Sequence, residues 1–154
     1  MNKLQHWQLF GIVLVPFFIS LYIDNEYYNG LIKSLTVVFV VFYYLTIGEF
    51  LNDIGTKKIK RHNFFRINCS YMLILTIVIN AGGIEIFGDN LAIMITVMAY
   101  FLIAFLQAVD HLAILLRTAE KKETDNYKQQ LEFILFFLWP IGIWTLQPRI
   151  NRLV

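Results

Sequence analysis

Charge is scarce in this sequence. Only 16% of its 154 residues are Asp, Glu, Lys or Arg, while 58% are hydrophobic; soluble domains carry about 25% charge, so a water-soluble fold is excluded. Cysteine occurs once, at Cys69, which rules out an intrachain disulfide and leaves a buried, inert thiol as the expectation. There is no Gly-rich phosphate loop, no His-x-x-Glu-His or Glu-x-x-His set and no nucleophile elbow. The chain is therefore expected not to be an enzyme, and nothing in it calls for a cofactor. Long polar stretches are also missing. The longest, 52–66 and 117–130, hold 15 and 14 residues, far short of the ~50 of a small domain, so residues 1–154 are expected to form one membrane domain with no soluble domain.

What the sequence does have is apolar runs, at 7–23, 31–51, 67–84 and 91–116, each near the ~20 residues that a helix needs to span hydrocarbon. They lack the alternation and ~10-residue length of barrel strands. The expected fold is an all-α integral membrane protein with four transmembrane helices in those ranges, plus an apolar segment at 131–146. The first run follows Lys3 but ends in "DNEYYNG" with no small-residue cleavage pattern, so it is expected to be retained as a helix, bent at Pro16.

Basic residues set the expected orientation. The stretch "NDIGTKKIKRHNFFR" carries five Lys or Arg and 117–130 carries four, whereas "DNEYYNG" and "EIFGDN" carry acids and none. The N-terminus and both basic loops are thus expected in the cytoplasm, with Lys33 the lone basic residue on the outer side, snorkelling to the headgroups.

The tail, "FFLWPIGIWTLQPRINRLV", is broken at Pro140 and Gly142 and ends in Pro148, Arg149 and Arg152. Residues 131–146 make about 24 Å of helix against a core of ~30 Å, which is short for a crossing. A tail that returns places 12 of the 13 basic residues inside, and a crossing tail 10. A re-entrant or half-inserted helix with a cytoplasmic C-terminus is the expectation; a fifth span and a cytoplasmic cap are the alternatives. Trp139 and Trp144 would anchor it at headgroup level.

Two polar trios share a spacing. Glu49, Asn52 and Asp53 lie at i, i+3 and i+4 near the end of the second run; Gln107, Asp110 and His111 repeat that pattern near the end of the fourth. Each trio makes one helix face, and both should sit at the cytoplasmic edge, where they could meet. An ion-pair collar with Arg66, Arg117, Arg149 or Arg152 is the expected role. A proton or ion site comes next and a metal last, since no di-iron pattern is matched. His6 and His62 are read as solvated, and the midplane of every run lacks acids and bases, which weighs against a conventional proton-coupled transporter. Ala104 and Ala108, four apart, form a seam that lets helices approach closely.

The lipid bilayer is the first expected partner, then further copies of the chain or a cytoplasmic protein, with no nucleic acid. The functional expectation is a multi-pass protein of the cell membrane acting as a homo-oligomer or as the membrane subunit of a larger system, with channel formation the leading specific idea. An ion or small-solute carrier using the inner polar cluster is the rival, and a membrane-embedded metal-dependent enzyme the third.

Overall fold

The computed structural model describes residues 6–55, 61–82, 90–120 and 126–153. Among them every regular element is helical: α1 (His6–Ser20), α2 (Glu26–Ile54), α3 (His62–Gly82), α4 (Leu91–Ala119), α5 (Asn126–Phe137) and α6 (Trp139–Asn151). Apolar chain favours helix because each N–H and C=O is then satisfied within its own segment. Three stretches, Tyr28–Ile54, His62–Asn80 and Leu91–Ala119, are long and apolar enough to cross a membrane. The basic stretch 56–60, the acidic stretch 83–89 and the side chains of His6 and Trp139 lie outside the described residues.

The first helix is shorter than its apolar run. It holds 15 residues, about 22 Å against the ~30 Å of hydrocarbon. Its end tightens where the Leu21 and Tyr22 N–H groups donate to the Phe18 and Ile19 carbonyls at 3.1 Å. Asn25 then accepts from the Tyr28 N–H at 3.3 Å, capping α2, and the Asn29 amide donates to the Ile23 carbonyl at 3.3 Å. These local bonds claim residues 21–25 for a turn, so apolar residues that extend the run do not extend the helix.

Each helix packs on the next, α6 closes the ring against α1, and α2 touches α4 across the middle. The core lies between α2, α3 and α4 and is filled by side chains such as Tyr44, Leu51, Met72 and Leu112, all fully buried. Small residues permit the approach. Ala104 and Ala108 are completely buried within the chain, and a Cβ on Gly48 would overlap the Phe65 ring of α3. The alanine seam is thus covered inside the protomer.

The tail turns back. Segments 130–137 and 141–151 meet at 116°. Pro140 has no N–H, which leaves the Phe136 carbonyl without its usual helical donor. Tyr44 of α2 donates its hydroxyl to that carbonyl at 2.6 Å, with both residues fully buried. The Ile141 and Gly142 N–H groups both donate to the Leu138 carbonyl, at 2.9 and 2.8 Å. A Cβ on Gly142 would overlap the Leu135 carbonyl, so only glycine fits this corner. Pro140 removes a bond and Gly142 opens the space; together they reverse the chain. Residues 126–151 as one straight helix would measure about 39 Å and carry Arg149 far from α4. Instead Arg149 reaches Glu120, just past the end of α4.

Replacing Tyr44 with Phe keeps the packing and orphans the carbonyl, so it should lower stability by about 1–2 kcal/mol, read as a lowered melting temperature in mild detergent. An unchanged melt would show that the corner does not depend on this bond.

Candidate functional site

Ionisable side chains gather where α2 ends, α3 begins and α4 ends. Helical spacing places His62, Phe65 and Arg66 on one face of α3, turned toward Glu49 of α2 and His111 of α4. Arg66 donates through Nε and Nη2 to both oxygens of the Glu49 carboxylate, the bidentate geometry that suits a guanidinium. His62 Nε2 lies 3.3 Å from the same carboxylate, close enough for charge attraction though not aligned for a hydrogen bond. On its other side His62 Nδ1 meets His111 Nε2 at 3.2 Å. The Phe65 ring stacks on both imidazoles, with centroids 5.6 Å from His62 and 5.0 Å from His111.

The two histidines can bond only if one nitrogen donates and the other accepts, so the pair shares a single proton at that contact. A carboxylate, an imidazole and a second imidazole therefore form a chain. It ends at a cleft of about 470 Å³ between α3 and α4, lined by Arg61, Phe64, Phe65, Gln107, Asp110 and His111. One level further along, Tyr100 donates to Asn68 at 3.3 Å and Asn68 donates to Gln107 at 2.8 Å.

The link between the two trios runs through α3, from Glu49 to His111 by way of His62, whereas Asn68 joins Gln107 to Tyr100, both of α4. Asp53 is exposed and near enough to Arg66 to act on its charge. Asn52 keeps a buried Oδ1 without a hydrogen bond. His62 is 5% exposed, which corrects its reading as solvated. It follows a basic stretch in sequence, but its burial comes from rings on α3 and α4. Cys69 is buried and free. Among the described residues no three His, Cys, Asp or Glu side chains are grouped to hold a metal ion.

A second cluster ties the hairpin. Arg149 donates to both oxygens of Glu120, at 2.8 and 2.6 Å, and to Glu132 Oε1 at 2.7 Å. Arg117 Nε lies 3.8 Å from Glu132 Oε2, with both residues 4% exposed. Arg117 and Arg149, expected to collar the trios, thus serve these glutamates instead. Sequence reasoning missed Glu120 and Glu132. Glu132 did carry a signal: it is the one ionisable residue between Lys128 and Arg149 in an apolar run. Nearby, Tyr43 donates to Gln147 at 2.9 Å, and Gln147 to Asn151 at 3.0 Å, joining α2 to α6.

Comparisons with protein-family models, curated proteins and solved structures return no match.

Removing one member of a buried charge group strands its partners. Glu132→Ala takes a buried carboxylate away from both Arg117 and Arg149 and should lower stability by about 3–5 kcal/mol, measured by thermal unfolding in detergent; a loss under 1 kcal/mol would mean that other groups already serve these guanidiniums. Gly48→Ala should displace Phe65 and separate the imidazoles, detectable as a shift of the histidine ring signals in NMR.

Proposed function

We propose that this chain is a non-enzymatic protein of the cell membrane that crosses the bilayer four times, through α1 to α4, with α5 and α6 as a re-entrant hairpin. Both termini face the cytoplasm. It works as a homo-oligomer, or as the membrane subunit of a larger system, and any solute path runs between copies.

The carrying observation is the contrast within α4. From Leu91 to Ile103 no side chain is buried, whereas from Ala104 to Arg117 most are. A helix half that packs poorly on its own chain is available to another, while the interior of the protomer is closed by Tyr44, Met72, Leu112 and Phe136. The exposed half is apolar, with Ile93, Ile95, Leu102 and Ile103 outward, so a passage formed there would gate by dewetting. Support for the orientation comes from the basic stretches around 52–66 and 117–130. The short first helix crosses if the bilayer thins locally, a modest penalty for this mismatch.

A carrier is the second reading, favoured by the Glu49–His62–His111 chain that opens on the cleft beside Asp110. Current recorded from reconstituted liposomes should show unitary steps under the first reading; saturable flux without steps would replace it by the second. Asp110→Asn should leave assembly and current largely intact, and complete loss of activity in an assembled variant would move the function to the cleft. Cysteine introduced at position 152 should be labelled from the cytoplasmic side. Labelling only from outside would overturn the re-entrant hairpin. Native mass spectrometry should detect multimers, and monomer alone, with no partner subunit, would count against assembly.

A further inference from the structure

A slot runs down the molecule between α2, α3 and α4, at the end away from the histidine pair. It consists of two cavities of about 330 and 240 Å³ that share Val37 and Phe101. The lining residues of α2 advance from Gly30 to Val41, about 16 Å of helix, while those of α3 descend from Asn80 to Met72 and those of α4 from Met98 to Phe105. That is close to half of the ~30 Å hydrocarbon core, the depth of one leaflet. The deep end offers apolar surface from Val41, Met72 and Phe105, and Thr36, which also lines it, turns its hydroxyl to the Ile32 carbonyl at 3.4 Å.

The mouth is different. Lys33 stands there, exposed, with Asn80 opposite, while Ser34 beside it donates its hydroxyl to the Leu31 carbonyl at 2.7 Å. Lys33 is the only Lys or Arg between Lys3 and Lys57, and no ion pair to it is formed among the described residues. The mouth is open beside Gly30, where a Cβ would meet only Asn80 Oδ1, at 4.0 Å. Asn80 spends one amide hydrogen on the Thr76 carbonyl, at 2.7 Å, and retains a second donor.

A single cation with an amide donor above an apolar slot one leaflet deep complements an anionic head carrying an acyl chain. We infer that this slot binds one anionic phospholipid of the outer leaflet, its phosphate at Lys33 and one acyl chain lying between α2, α3 and α4. Charge selects the headgroup, because a basic residue at the membrane surface favours anionic over zwitterionic lipid by ~1 kcal/mol, about fivefold. The inference needs α2 to α4 to lie in a bilayer with Lys33 at headgroup level, and is independent of whether the protein conducts.

The test uses the full chain in mild detergent, mixed with equal amounts of phosphatidylglycerol and phosphatidylcholine of the same acyl composition, with retained lipid read by native mass spectrometry. The wild type should retain phosphatidylglycerol about fivefold over phosphatidylcholine. Lys33→Gln should bring the ratio near one, and Lys33→Arg should restore it. Gly30→Leu should plug the mouth and reduce both lipids. Equal retention by the wild type, or a preference that survives Lys33→Gln, would overturn the inference and assign any selectivity to the basic stretch around 57–66. A wild-type measurement stands apart from any folding defect: phosphatidylglycerol with a diazirine at the acyl terminus should crosslink to Met72, Phe101 or Phe105. Crosslinks confined to other helix faces would refute the slot as the site.

Discussion

A backbone carbonyl that loses its helical donor in apolar surroundings must find another, and the Phe136 carbonyl is the place where this chain meets that demand. Pro140 takes the donor away; Tyr44 of α2 returns one from a distance of 92 positions in sequence. An unpaired carbonyl there is worth more than most single contacts in helices of this composition, where apolar faces gain little by meeting each other rather than lipid. The bond therefore fixes α5 against α2, sets where the reversal occurs, and determines which end of the molecule receives Arg149. Much of the polar architecture lies downstream of that corner. With the hairpin in place, Gln147 reaches Tyr43 and Arg149 reaches Glu120 and Glu132.

The two charged clusters use the same currency differently. At Glu120, Glu132, Arg117 and Arg149 the charges balance in pairs and hold elements together, and burial makes each member depend on the others. Around Glu49, Arg66 takes the carboxylate from the exposed side while His62 approaches from the buried side. The result is an imidazole pair screened by Phe65 yet bordered by an open cleft. The first arrangement is suited to holding and the second to responding, because a shared proton between two rings can move without any helix moving.

The helical class and the positions of the long apolar helices were legible in composition and run length, and the break at Pro140 and Gly142 was legible because each residue has a local effect on the backbone. Glu49 and His111 were expected to approach one another near the inner helix ends, and His62 of α3 stands between them. Partnership was not legible. That Arg149 prefers Glu120 and Glu132, or that His62 is drawn inward by Phe65 and His111, depends on which helix faces meet, and neither run length nor position along a helix specifies that. The length of α1 was misread for another reason: residues 21–23 are apolar enough to count as helix, but the chain turns there and Asn25 and Asn29 bond locally.

The closure of α6 on α1 has a consequence for how the molecule is made. Neighbouring helices along the chain can pair as they emerge from the ribosome, but α1 must stand without one of its walls until α6 has been synthesised more than a hundred residues later. Glu120 and Glu132 likewise precede Arg149, so in a partly made chain both carboxylates lack that donor. Such a nascent chain exposes both a bare helix face and carboxylates still lacking Arg149, features that mark it as unfinished to the machinery that retains or degrades membrane proteins. Completion of the ring removes both marks in one step.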